Sequence, residues 1–268
     1  MEDSIISLIT RGNLTGLMPT IETALRQGQL PPTTILLQTA IQHMQLGVLE
    51  FLLNRLFPRD TADEKSPLAT LDRAVLLQTL SPERVPAFEL LCRHDPSLRT
   101  MHLGHMGPPL AWAILGDNLR LASFLLADRV DPAECQVNHR PAVVAAAGTG
   151  SCAMMSLLLD HGASVQGTGA LFAAVRNARV DMLDLLVEER KVAAIDSLQP
   201  ADREGGLTPG PVLHLAIQRR MRRMVGVLLR RFHADPMVMD SEGKSALDWA
   251  GEMNDSEIMD MCLAARAN

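Results

Sequence analysis

The chain has no Tyr, two Trp and six Phe, so aromatics make up only 3% of its 268 residues. That scarcity leaves no platform for stacking bases, and it removes the usual filler of a β-sandwich core. A basic excess is also missing. The formal charge is −6, which argues against general phosphate neutralisation along a nucleic acid. No uncharged apolar run reaches the roughly 18 residues of a membrane span. The four cysteines (Cys92, Cys135, Cys152, Cys262) form no CxxC pair and no tight cluster, so neither a zinc site nor a disulfide framework is indicated. The start, Met1-Glu-Asp-Ser-Ile-Ile, lacks the basic region and long apolar stretch of a signal peptide. These absences predict a reducing compartment, cytoplasmic with nuclear also open, and a protein that binds neither membrane nor nucleic acid.

Catalytic signatures are equally sparse. HExxH, GxSxG and a Rossmann GxGxxG are not found. Gly243-Lys-Ser245 looks like the tail of a phosphate loop, but the upstream glycine of that motif would fall at Val238. No cofactor and no metal is expected, and the balance leans away from an enzyme.

What the chain does contain is 47% hydrophobic residues, chiefly Leu, Ala, Val, Ile and Met, arranged with a long period. The clearest unit is Asp240-Ser-Glu-Gly-Lys-Ser-Ala-Leu-Asp-Trp-Ala250. Ser245 with Asp248 three residues on reads as a capping box, and Gly243 as the positive-φ residue of the turn before it. Val212-Leu-His-Leu-Ala216 opens another unit that closes on Leu228-Leu229 and His233-Ala-Asp-Pro236. Pro141-Ala-Val143 leads through Ala146-Ala147 and Gly150 to Leu158-Leu-Asp-His-Gly162-Ala163. Pro109-Leu110 leads to Leu125-Leu126, Gly169-Ala-Leu171 to Leu185-Leu186, and weaker copies start at Leu37 and Leu71. Anchors at Leu37, Leu71, Leu110, Val143, Leu171, Leu213 and Leu247 stand 34, 39, 33, 28, 42 and 34 residues apart. Each unit holds two short apolar stretches split by Gly, Asn or Asp. One such pair cannot hide its apolar stripe alone, so stability must come from stacking neighbours.

These units resemble the ankyrin repeat, whose period is about 33 residues and whose helix opens on Thr-Pro-Leu-His-x-Ala. The resemblance covers roughly residues 30 to 265 and implies an all-α, ankyrin-type helical repeat solenoid with short finger turns. About seven recognisable repeats would follow a degenerate amino-terminal cap over residues 1–29. The short 143-to-171 step implies a finger turn cut down near Ser164–Thr168. The long 171-to-213 step implies an insertion loop near 188–211, where Pro200, Gly205-Gly206 and Pro209-Gly-Pro211 cluster. Ser81-Pro-Glu-Arg84 reads as a helix start with Ser81 as cap.

Ankyrin proteins generally bind other proteins with the concave face and fingers, so the resemblance implies a non-catalytic interaction module. The candidate contacts are His102, His105, Trp112, His139, Arg140, Arg176, Asn177 and Arg219. His102 and His105 are the one tight histidine pair; they can share a metal, but no third ligand is fixed by spacing. His139 and Arg140 sit at an expected finger tip, and Arg176 and Asn177 end a first helix. Arg219-Arg-Met-Arg-Arg223 with Arg230-Arg231 is the densest charge run, read first as a solvated helix face and second as a site for an acidic partner. His214 matches the family's structural histidine. The alternative is an atypical enzyme or a small-molecule binder using a pocket in the same groove.

Overall fold

In a computed structural model, residues 2–57, 68, 71, 73–200 and 209–267 are described. Among them, sixteen helices form eight hairpins. The chain divides into two compact units, residues 1–113 with 118–130, and residues 114–117 with 131–268.

The first unit holds α1 (Glu2–Thr10) with α2 (Leu14–Gln27), and α3 (Thr33–Gln42) with α4 (Leu46–Leu56). It continues with α5 (Arg73–Thr79) and α6 (Val85–His94), then α7 (Pro109–Leu115) and α8 (Leu119–Ala127). First helices pack on first helices and second on second: α1 on α3, α4 on α6, α6 on α8. Leu36, Leu37, Leu49, Leu52 and Leu53 are at most 1% exposed, and Phe88 meets Phe124 edge to face at 6.5 Å. With so few aromatics, that pair is the bulkiest contact in a core made otherwise of aliphatic side chains.

The expected helix start at Ser81 does not form. Residues 81–84 make a turn in which Arg84 N donates to Ser81 O at 2.9 Å, and α6 begins at Val85. Pro86 is the cause. A helix begun at Pro82 would place Pro86 in its second turn, where the ring collides with a carbonyl and an N–H is missing. Beginning at Val85 puts the proline in the first turn, where neither matters.

The second unit contains α9 (Ala142–Thr149) and α10 (Cys152–Asp160), then α11 (Ala170–Arg176) and α12 (Val180–Leu183). A π-helical stretch, Asp184–Glu189, extends α12. Next come α13 (Val212–Gln218) with α14 (Arg222–Arg230), and α15 (Ala246–Glu252) with α16 (Ser256–Arg266). α9, α11, α13 and α15 stack in series, and α14 packs on α16. The inner layer is dominated by alanine because these helices approach closely: a Cβ on Gly148 would stand 3.8 Å from Ala173 Cβ.

Six of the seven anchors are buried: Leu37, Leu71, Leu110, Val143, Leu171 and Leu213 are each 5% exposed or less. Leu247 is half-buried. Among the described residues its helix α15 packs closely on α13 and α16.

The hairpin links repeat one geometry. Gly12, Met44, Asp117, Ala178, Arg220 and Asn254 all have φ between 49° and 66°, and the next N–H donates back into the first helix. Gln45 N to Ala40 O and Asp255 N to Ala250 O are two instances. This left-handed closure satisfies carbonyls that a helix end leaves open. Remaining carbonyls are met from the neighbouring repeat. Gln45 Nε2 reaches Thr10 O, Asn118 Nδ2 reaches Leu80 O, Arg179 Nη1 reaches Gly150 O, and Arg220 Nη2 reaches Met253 O, at 2.8 to 3.3 Å.

Candidate functional site

The finger before α9 is the two-stranded hairpin β1 (Gln136–Val137) and β2 (Arg140–Pro141). Asn138 and His139 take φ of 50° and 63°, the left-handed pair that a two-residue hairpin turn needs to match strand twist. Asn adopts that conformation readily. His does so less readily, and its side chain stands exposed at the tip. Val137 is buried beneath it and Arg140 is half-buried. Ala142 N donates to Cys135 O at 3.1 Å, locking the finger to the start of α9.

Arg176 and Asn177 lie at the carboxyl end of α11, on the link side of the helix layer. Asn177 Nδ2 donates to Ala173 O at 2.8 Å, and a Cβ on Gly148, near the carboxyl end of α9, would stand 3.2 Å from that nitrogen. The finger therefore meets the amino end of α9 while these two residues meet the carboxyl end of its neighbour. About 12 Å of helix separates the two ends. The four side chains bracket the inner layer and do not touch as one cluster.

His102 and His105 are both exposed in the turn before α7, which Leu103 N to Gly107 O closes at 3.1 Å. Among the described residues no group of three or more His, Cys, Asp or Glu is placed to hold a metal ion. Trp112 is half-buried in α7, and its indole N–H is buried without a hydrogen-bond partner among the described residues. Trp249 shows what is missing, for its Nε1 donates to Asp240 Oδ2 at 2.7 Å. Nine residues before Trp112 stands Leu103, where the later repeat has Asp240.

Asp240 organises the turn into α15. Its Oδ1 accepts from Glu242 N at 2.9 Å and Lys244 N at 3.0 Å. Burial pushes this carboxyl up, but those backbone bonds and the Trp249 bond outweigh it and hold it below the usual carboxylate range. Lys244 O accepts from Asp240 N at 2.9 Å and pairs with His214 Nε2 at 3.0 Å. His214 is buried, and burial lowers its pKa. Donation to a carbonyl fixes the proton on Nε2, so this imidazole ties two repeats together and is not poised as an acid or base. The capping box is present, with Ser245 N donating to Asp248 Oδ2 at 2.8 Å.

The described parts of the 188–211 segment are tied down. Gln199 N donates to Gly210 O at 3.0 Å, and Asp196 Oδ1 accepts from Asp235 N at 3.0 Å. Ser241 N donates to Pro209 O at 2.9 Å. The bridge between Gln199 and Gly210 occupies the place of the β1–β2 finger; the expected insertion at Gly205 and Gly206 lies outside the described residues. The shortened finger, residues 161–169, has no strand.

Arg219, at the carboxyl cap of α13, is exposed. In the rest of the basic run the charges divide. Arg222 pairs with Asp255 at 3.1 Å and Glu257 at 2.7 Å, and Arg231 with Asp184 at 2.9 Å. Asp184 and Asp255, which make that division, lie far from the run in sequence. Shallow grooves of about 660 and 450 Å³ adjoin α14, sharing Gly226, Arg230 and Met261 in their walls.

Stacked two-helix units with finger turns define a helical repeat protein. The family model for ankyrin repeats (3 copies) matches residues 110–196. Three solved structures share the fold. The ankyrin repeat domain of Bcl-3, titled a unique member of the IkappaB protein family, is 20% identical with a TM-score of 0.58, over 71% of this chain and 85% of that one. EF0377, an ankyrin repeat protein, is 19% identical with a TM-score of 0.53, over 70% and 96%. An ankyrin repeat domain from Acinetobacter baumannii AYE is 20% identical with a TM-score of 0.51, over 72% and 98%. No curated protein matches by sequence. Residues 110–196 thus carry ankyrin repeats, and the chain has the fold that these structures share.

Proposed function

We propose that this protein is a non-catalytic module that holds a partner protein against the concave side of its second unit, from the β1–β2 finger to the carboxyl end of α11. Ankyrin repeats generally serve protein–protein interaction. The observation that carries the reading is the finger itself. A two-residue left-handed turn fixes exposed His139 at the tip, and Val137 is buried beneath it, so a polar side chain is presented on a pre-ordered support. Such preorganisation lowers the ordering cost of association. Arg140 at one end of the inner-helix layer and Arg176 at the other suit an acidic or polar segment lying along it. His102, His105 and Trp112 offer further contacts on the first unit, and Arg219 on the second. Residues 1–29 serve as the amino-terminal cap of an array running from 30 to 265. Among the described residues no helix is long and apolar enough to cross a membrane.

The test is affinity capture from a lysate of the source cells with the native chain and with Arg140→Glu/Arg176→Glu. The native chain should retain a specific partner that the charge-reversed chain releases, while both melt within about 2 °C of each other. Identical capture by the two chains would remove the assignment.

A further inference from the structure

We propose a second docking surface on the outward face of α14: a two-arginine clamp, Arg223 and Arg230, that takes an acidic, extended peptide segment. It stands apart from the inner-face reading and does not depend on it.

Helical spacing separates the roles of the four arginines at the two ends of α14. Arg222 and Arg231 are nine residues apart, which at about 100° per residue places them on opposite flanks. The ion pairs agree: Arg222 reaches forward to Asp255 and Glu257, Arg231 back to Asp184. Arg223 and Arg230 are seven residues apart, only about 20° short of two full turns, so they share one stripe midway between those flanks. Met224, Val225, Leu228 and Leu229 are buried on the opposite side. The stripe therefore faces away from the core. Both its arginines are exposed, and neither has an ionic or hydrogen-bond partner among the described residues.

Between the two arginines the stripe drops. Gly226 has no side chain, and Met261 of α16 borders it, its Sδ 3.8 Å from where a glycine Cβ would be. Gly226, Arg230 and Met261 line the grooves on both sides. The carboxylates near this depression are engaged already. Glu257 is held by Arg222, and Asp235 accepts from Met237 N at 2.8 Å. A chain of net charge −6 thus presents two unneutralised guanidinium groups flanking a shallow apolar saddle. Charge complementarity calls for two carboxylates.

The spacing limits the occupant further. Seven helical residues put the arginine stems about 10 Å apart along the axis. In a polyproline-type segment, side chains three residues apart share a face and lie about 9 Å apart. An acidic residue, a small apolar residue over Gly226, any residue, and a second acidic residue would match that interval.

The probe is a fluorescein-labelled peptide, Gly-Pro-Glu-Ala-Pro-Glu-Leu-Gly, read by fluorescence anisotropy against the full chain. Replacing both Glu by Gln should weaken binding at least about tenfold, and so should Arg223→Glu/Arg230→Glu in the protein. That variant should instead bind the peptide with Lys in place of both Glu. Arg11→Glu/Arg26→Glu, with the same change in net charge, should stay within about twofold of the native chain. If the charge-reversed clamp does not melt cooperatively, Arg223→Gln/Arg230→Gln replaces it. The proposal is overturned if the Glu peptide does not bind the native chain, if the clamp variants bind it unchanged, or if the control variant loses as much. Tighter binding of oligothymidylate, or of the same peptide with phosphoserine in place of both Glu, would likewise overturn it, by assigning the arginines to phosphate.

Discussion

Substituting Asp240 should reveal how much of the last finger turn rests on one carboxylate. Asp240→Ala removes an acceptor for three N–H groups, those of Glu242, Lys244 and the Trp249 indole. A hydrogen bond to a charged group contributes about 1.5–3 kcal/mol, and less where one side meets water. The Glu242 amide belongs to an exposed residue and the three bonds share one group, so they do not add. A loss of about 3–5 kcal/mol results, equivalent to a drop on the order of 10 °C in melting temperature. Asp240→Asn should cost about half as much. Its oxygen can serve the two backbone amides, but its NH2 then faces the indole N–H. The assay is thermal unfolding followed by Trp249 fluorescence in a Trp112→Phe background, at pH 7 and through the acid range. The folded carboxyl lies below its ordinary value, so its contribution is complete above about pH 4 and is lost as pH falls through the folded value. The gap between native and Asp240→Asn should therefore be flat from pH 7 to about 5 and close below about 4. A shift under about 2 °C for Asp240→Ala, or a gap that stays constant into acid, would refute the assignment.

Leu158→Ala should cost about 2–5 kcal/mol because the side chain is 0% exposed, whereas half-buried Leu159→Ala should cost clearly less; chemical denaturation measures both. Arg129→Gly and Ala178→Gly should each stabilise by about 0.5–1 kcal/mol, since both residues hold φ near +60° at a helix end; a fall in melting temperature would count against the left-handed closure. Burial pushes the thiols of Cys92 and Cys135 up to about 12 and that of Cys262 up to about 11. Native protein at pH 8 should thus expose one reactive thiol to a disulfide reagent, half-buried Cys152, and denatured protein four; two fast native thiols would contradict the packing.

Much of this architecture could be read from residue order. Leu-Leu doublets, a glycine turn and a capping serine recur in phase, and each is a local device whose effect is complete within a few residues. His214 and the Ser245–Asp248 box belong to that class. The start of α6 was missed because Pro86, not Ser81, sets it, and a proline's effect depends on which turn it occupies. The links were invisible for another reason. Met44, Asp117, Arg220 and Ala178 share a left-handed backbone but no chemistry, so no motif announces them. Among candidate contacts, the finger at His139 was legible from His139-Arg140 before Pro141. The division of the arginine run was not, because Asp184 and Asp255, which claim Arg231 and Arg222, are distant in sequence.

The side chains that reach into neighbouring links have a consequence for modularity. Gln45, Asn118 and Arg179 each follow the left-handed residue of their link and reach back to a carbonyl of the preceding unit, whereas Arg220 is itself the left-handed residue and reaches forward. Three junctions share a position but are keyed by side chains of different length, and the fourth runs the other way. Consensus arrays tolerate reordering because every seam is alike; here, transplanting a unit would leave one lock without its key on both sides of the cut.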